Sequence, residues 1–338
     1  MALIRTRVCI AGNRGHLNVP LDDMKKSGHG EIVGVCGAGP DMSTESVASS
    51  CRRVFGTEPP RFDGDYRSML DAAKPDVLVV CGPFEDHAAM TVEAVGRGIH
   101  VFCEKPVSTT LEGLADVANA HRLHPDVKIA QMCGPHYDTG NWSATCHASE
   151  IGTVRLMHAQ KSYKLGRREA YFMSRQTSGG LIPWVGIHAI SWLYHFAGRI
   201  PFKAVCASQS SAFNKGHGDL EMSAACLFEF AGGVAASASI DYLRPENPAL
   251  GHGDDRIRVM GTDGSIEVRD DACVRSTPTG TETFCDAPPF GMFEDFLRSV
   301  NGEPANIMTG VDLLRVTQAA LLAREAADRH QRIVVPDI

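Results

Sequence analysis

The sequence predicts a doubly wound α/β domain with a parallel sheet, followed by an α+β domain built on a predominantly antiparallel sheet. Residues 7–132 alternate short apolar runs with mixed segments of helical length, the pattern of a parallel sheet covered on both faces. Beyond residue 150, strand-like runs instead follow one another through Gly- and Asp-containing turns. At 338 residues the chain also exceeds what one ordinary hydrophobic core organises, so two domains with a ligand crevice are expected.

In the first half, residues 7–10, 31–36, 77–81, 99–103 and 127–132 read as strands, and 17–27, 43–55, 88–97 and 111–123 as helices. A sheet of this kind binds ligands beyond the carboxyl ends of its strands. In the second half the strands are 154–163, 204–210, 224–230, 233–241, 256–260 and 265–269, with helices near 184–196 and 289–300. A last amphipathic helix spans 310–329, before an extended 332–335. The boundaries expected are 1–130 for the first domain and 131–309 for a substrate and oligomerisation domain. The helix and tail at 310–338 are expected to pack back on the first domain. Residues 244–255, with two prolines, two glycines and no periodicity, read as a mobile loop.

Composition excludes several classes. The net charge of −7 with no basic run argues against nucleic acid, and no apolar stretch approaches a membrane span. The start of the chain has no secretory pattern, and the eleven cysteines are odd in number with no C-x-x-C pair, so a reducing cytoplasm and core packing are expected. The fourteen histidines form no H-x-x-x-H or H-x-H cluster with carboxylates, so no metal is expected. An exposed antiparallel sheet seeks a partner, which predicts a homo-oligomer, dimer or tetramer, packed through the second domain.

Two clusters carry chemistry. The first strand runs into Ala11-Gly12-Asn13-Arg14-Gly15-His16, a glycine turn before a helix, where backbone N–H groups can cradle a pyrophosphate. Gly12 and Gly15 fill the second and third glycine positions of the dinucleotide motif, but Ile10 stands at the first, and a plain strand-to-helix turn is an equal reading. The second strand ends without the acid that grips the ribose in NAD-binding proteins; the nearest is Asp41. That leans towards NADP, with Arg14 as a compensating charge or simply solvated, and the cofactor stays open between NAD and NADP. The second cluster is Cys81-Gly82-Pro83 with His87, then Glu104-Lys105-Pro106 directly after an apolar strand. A lysine at that sheet edge invites a functional explanation, although a Glu-Lys pair closing a turn also reads as a surface salt bridge.

These residues, with the stretch from Ala94 through Pro106, Gly179-Gly180 and Gly186-Ile187-His188, resemble the glucose-fructose oxidoreductase and inositol dehydrogenase (Gfo/Idh/MocA) family over nearly the whole chain. The resemblance implies a Rossmann domain plus a domain with a large open-faced antiparallel sheet. It also implies hydride transfer between NAD(P) and a hydroxyl or carbonyl of a sugar, cyclitol or related polyol. By that likeness Gly12, Asn13, Arg14, Gly15, Pro83, His87, Glu104 and Lys105 hold the cofactor. Lys105 and His188 are then catalytic, and His136, Tyr163, Trp184 and His188 face the substrate. A lysine desolvated beside the cofactor and a histidine can both exchange the proton that accompanies hydride transfer.

The chain departs from the family pattern at two positions. Trp184 stands where an aspartate usually precedes the histidine by four, and Ser191 where a second aspartate often follows. Indole stacks on a sugar face and donates one hydrogen bond but accepts no proton. Three readings follow. Lys105 and His188 suffice, helped by Tyr163, Lys164 or His136; or the site performs a redox-neutral, NAD-assisted glycosidase or lyase reaction; or the protein binds sugar or nucleotide as a non-catalytic regulator. The first is preferred because Lys105, His188 and most of the glycine turn are present.

Overall fold

The computed structural model describes residues 5–39, 41–269 and 271–338. By their contacts the residues divide into two compact units, Met1–Met132 with Pro289–Leu314, and Cys133–Pro288 with Arg315–Ile338.

The first unit is a five-stranded parallel sheet of β1 (Thr6–Gly12), β2 (Gly30–Cys36), β3 (Val77–Cys81), β4 (His100–Cys103) and β5 (Ile129–Gln131), in the order β2-β1-β3-β4-β5. Its helices are α1 (Asn18–Ser27), α2 (Thr44–Phe55), α3 (Tyr66–Ala73), α4 (His87–Gly96) and α5 (Leu111–Leu123). The central strand β3 is buried along its whole length, as Val/Leu/Cys runs covered on both faces require. The short α3, capped by Asp65, was not legible as a separate helix because its eight residues barely exceed two turns.

The second unit contains α6 (Thr139–His147), β6 (Val154–Lys164), α7 (Arg175–Ser178), α8 (Ile187–Phe196), β7 (Phe202–Ser210), β8 (Ser223–Phe230), β9 (Ala235–Arg244), β10 (Gly253–Gly261), β11 (Ser265–Arg269), β12 (Ala272–Thr277) and β13 (Gly280–Phe284). They form a nine-stranded sheet, β13-β12-β11-β10-β6-β9-β8-β7 and a last strand described below, antiparallel except for the β6–β9 pair. Alternation sets its two faces. In β8, Ala224, Cys226, Phe228 and Phe230 are buried while Ala225, Leu227 and Glu229 point to solvent. Helix α8, buried nearly all round, packs on β6 and β9, and a π-helical turn at Ile182–Gly186 precedes it where one continuous helix was expected.

Four features correct the expected organisation. The hairpin β12–β13 was missed because its residues are largely polar and exposed, with no apolar period to read. Helix α6 was missed because Thr139–His147 is rich in weak helix formers and is held by β11 and β12. The expected loop is present at 245–252, between the end of β9 and the start of β10, but it is tied down: Lys164 Nζ donates to Asn247 O (2.7 Å) and Leu250 O (2.6 Å), and Gly166 N donates to Glu246 Oε1 (2.8 Å).

The last correction concerns how the chain is shared out. Helix α9 (Met292–Val300) belongs to the first unit, where Phe293 and Phe296 lie 4.9 and 5.3 Å from the ring of Phe102 on β4. Asp23 on α1 accepts from Phe293 N (2.7 Å). Helix α10 (Val311–Arg329) starts in the first unit, but from Arg315 the chain groups with the second rather than with the first as expected. The reason is local bonding: Arg324 donates to Gly179 O (2.6 Å), Asp328 pairs with Arg175 (2.9 Å), and β14 (Ile333–Val334) adds to the edge of β7. No helix among the described residues is long and apolar enough to cross a membrane.

Candidate active site

In the first unit the site grows from the point where the chain turns to opposite sides of β1, with β2 on one flank and β3 on the other. This switch point is where such sheets leave a crevice at their carboxyl ends. Gly12 closes β1 with φ +84°, and a Cβ there would run into the Cys81 carbonyl at the end of β3. Arg14 N donates to that same carbonyl at 2.9 Å. Gly15, at φ +70°, lies so close to Glu104 that a Cβ would sit 2.7 Å from Oε2. Helices α2, α3 and α5 carry side-chain caps from Ser43, Asp65 and Thr110, whereas α1 has none; in its first turn Val19 N donates to His16 O (2.9 Å) and Pro20 has no N–H. A turn that tolerates only glycine and opens onto an uncapped helix fits a dinucleotide. Beside it a cavity of 620 Å³ is lined by Gly37, Gly39, Asp63, Asp65, Arg67 and Pro83 among others.

Glu104 and Lys105 follow β4 and are both buried, at 0% and 2% exposure. Burial pushes the Glu104 carboxyl up, but His16 and the neighbouring Lys105 more than reverse this and hold it below the ordinary carboxylate range. His16 donates its backbone N–H to Glu104 Oε2 at 2.8 Å, and its Nδ1 lies 3.0 Å from the same oxygen. His87 is buried between two carbonyls, with Nδ1 2.9 Å from Pro106 O and Nε2 3.2 Å from Gly82 O. Burial lowers its pKa, while the two carbonyls pull in the opposite direction. His87 therefore ties the Pro83 loop to the Lys105–Pro106 segment. Asn13 and Arg14 complete the turn, so the expected cofactor residues meet at the ends of β1, β3 and β4. Arg14, considered above as a charge for a 2′-phosphate, is instead engaged: Nη2 lies 2.6 Å from Asp41 and Nη1 3.7 Å from Glu85.

In the second unit, α8 supplies His188, 4% exposed, one turn beyond Trp184, which packs on Phe172 at 5.1 Å. Ser191 Oγ donates to His188 O (2.7 Å) and so accepts from His136 Nε2 (2.9 Å). The serine in the second departing position thus connects two of the expected substrate residues. Tyr163 lies on the inward face of β6, stacked on His252 at 4.9 Å.

That face also holds a group the sequence reading missed. Lys161, 1% exposed, pairs with Asp255 on β10, with Nζ 4.9 Å from the Tyr163 ring and 5.2 Å from Trp192. The signal was available, since the alternation Met157, Ala159, Lys161, Tyr163 puts a cation at an inward position. Among the described residues no group of three or more His, Cys, Asp or Glu could hold a metal ion.

His136 and His195 meet edge to face at 5.4 Å, and burial pushes both imidazoles down, His195 to about 4 with the help of Arg199. A base depressed on folding is protonated first in the unfolded chain. Its contribution is therefore complete above pH 6.5 and lost as pH falls towards 4, by about 3 kcal/mol for His195. Denaturant titrations between pH 7 and 4 should show this loss in the parent protein, and His195→Gln should flatten it.

Comparison with known proteins agrees with this architecture. Residues 9–129 match an oxidoreductase family with an NAD-binding Rossmann fold, and residues 144–267 match the GFO/IDH/MocA C-terminal domain. A Thermotoga maritima protein described as a candidate oxidoreductase superposes with a TM-score of 0.90 at 35% identity, covering 97% of this chain and 100% of its own. The uncharacterised oxidoreductase YrbE of Bacillus subtilis is 29% identical over 251 residues, 71% of this chain and 69% of that protein. D-glucoside 3-dehydrogenase of Escherichia coli is 41% identical over 194 residues, but the match spans only 55% of this chain and 51% of that enzyme. With both halves matched and the fold shared from end to end, the chain belongs to the GFO/IDH/MocA family of NAD-binding oxidoreductases.

Proposed function

We propose that the protein is a dehydrogenase that removes hydride from a hydroxyl of a sugar, cyclitol or related polyol, and returns it to the carbonyl in reverse. One observation carries the reading: an almost fully buried lysine, Lys105, beside a buried carboxylate and directly behind the glycine turn. Burying a lysine there is costly unless it is partnered, so its placement beside Glu104 invites a functional explanation, and the likeness to D-glucoside 3-dehydrogenase supports a carbohydrate hydroxyl as its target.

Bound NAD supplies the hydride acceptor. The chain must then take the proton that the hydroxyl oxygen loses, and Lys105 Nζ receives it when neutral. As an ammonium, the same group polarises the carbonyl oxygen in the reverse direction. By the family resemblance, His188 is the candidate for a second proton-exchanging group. Trp184 and Tyr163 shape the wall on which the substrate rests. Lys105→Met should lower kcat by about 10²- to 10⁴-fold while the Kd for NADH, read by nicotinamide fluorescence, changes little. Loss of NADH binding with retained turnover per bound cofactor would refute the catalytic role.

Arg14 is neutralised by Asp41 and Glu85, so it offers no spare charge to a 2′-phosphate, and this supports NAD over NADP. NADH should bind more tightly than NADPH, and Asp41→Ser, which frees Arg14, should narrow that gap by about tenfold. An unchanged ratio would remove Arg14 from cofactor selection.

The outward face of the second unit's sheet supports the oligomer. Leu156, Leu227 and Leu243 are 55–59% exposed there, around the small residues Ala225, Ser237 and Ser239. A second copy of the same face would cover this apolar and small-residue surface. Light scattering should give at least a dimer, and Ser237→Arg should yield monomer with its NADH affinity intact. Eleven free cysteines, most of them buried, accord with a cytoplasmic setting.

A further inference from the structure

In the second unit, Lys161 and Arg175 are matched by carboxylates. Lys161 pairs with Asp255, and Arg175 pairs with the buried Glu221 and with Asp328. Arg168 differs. Its guanidinium carbon lies 4.2 Å from the ring centre of the buried Tyr242 and 5.8 Å from that of Phe172, which in turn packs on Trp184. Its Nη2 donates to Lys164 O (3.0 Å), yet among the described residues no carboxylate lies within ion-pair distance.

Two donors here are also desolvated without acceptors. Arg168 Nε and the Tyr242 hydroxyl are both buried and have no hydrogen-bond partner among the described residues. A buried donor left unmatched costs more than an exposed one, so such a pair calls for an acceptor supplied from outside. Aromatic stacking fixes the guanidinium plane, which lowers the entropy lost when it is bound.

The surrounding charge is mixed: Lys164 and Arg167 precede Arg168 and the exposed Glu169 follows it, with Glu246 and Glu221 also acting nearby, yet none of these carboxylates forms a described ion pair with Arg168. Burial lowers the pKa of His252, and Arg168, Lys164 and Lys161 depress it further against the opposing pull of Glu246.

We infer that Arg168, backed by the Tyr242 hydroxyl, recognises an anionic group on the substrate, so that the protein prefers polyols carrying a carboxylate or phosphate over neutral sugars. This rests on the dehydrogenase reading for its chemistry but not for its binding geometry. Guanidinium and anion would form a planar, charge-assisted contact, with the hydroxyl to be oxidised elsewhere on the same molecule.

The test compares matched substrates: glucose, glucuronate and glucose 6-phosphate, with myo-inositol as a second neutral compound, in NAD-reduction assays. At least one anionic compound should exceed its neutral congener in kcat/KM by about 10- to 100-fold, mostly through KM. Arg168→Gln should collapse that ratio, and Arg168→Lys, which keeps the charge but not the fork, should restore part of it. Glucuronate and glucose 6-phosphate separate the carboxylate source from the phosphate source. A neutral preference unchanged in Arg168→Gln would overturn the inference while leaving the dehydrogenase standing. If no compound reduces NAD, calorimetric titration of the same compounds into the NADH-saturated protein decides. Tighter binding of an anion that Arg168→Gln abolishes would uphold anion recognition although the dehydrogenase reading had failed. Absence of any anion preference would end it.

Discussion

A carboxylate with no solvent exposure, Glu104, is the constraint around which the nucleotide end of the first unit is arranged. An unpaired charge in that position would cost several kcal/mol, so the surrounding chain has to answer it. His16 answers with its backbone N–H and its ring, and Lys105 with its ammonium. Because His16 follows the glycine turn, the same contacts draw that turn against the end of β4, and only a residue without a side chain fits at position 15. The glycine turn and Lys105 are thus held by one buried charge. His87, pinned to Pro106 O, braces the segment from the other side.

The second unit solves a different problem with different means. Its sheet must bury one face and leave the other open, and alternation along β8 and β9 and through the middle of β6 does so. The inward face is nevertheless not purely apolar. Lys161, Tyr163, Arg168 and Tyr242 lie on or beside it, with cations stacked on aromatic rings. Rings permit charge there because they offer a polarisable surface without demanding a counter-ion. The Ser191 hydroxyl, joining the His136 ring to the backbone carbonyl of His188, shows how a position without a carboxylate still orders a histidine.

The sequence made the α/β half legible because its strands are continuous apolar runs separated by helices of ordinary length. It also located Glu104-Lys105, since a charged pair straight after a buried strand breaks the local pattern. It was less informative where tertiary contact overrides local preference. Helix α6 has weak helical composition, β12 and β13 lack an apolar period, and the polar turn after β9 takes its order from Lys164. The pairing of Arg14 with Asp41 joins residues 27 positions apart, which no local pattern displays. Lys161 is the instructive omission, because its inward register was visible once β6 was read strictly in steps of two.

The first unit is not one stretch of chain. It needs residues 289–314, and Phe293 and Phe296 on α9 cover Phe102 of the central sheet. A fragment cut after Met132 would therefore leave an aromatic face of β4 bare and Asp23 without the Phe293 amide it binds. Modular reuse of this nucleotide-binding half, by recombination or by design, has to carry two separate gene segments together. Insertion of a different domain between them is the simpler transaction, since it leaves both pieces of the first core in place.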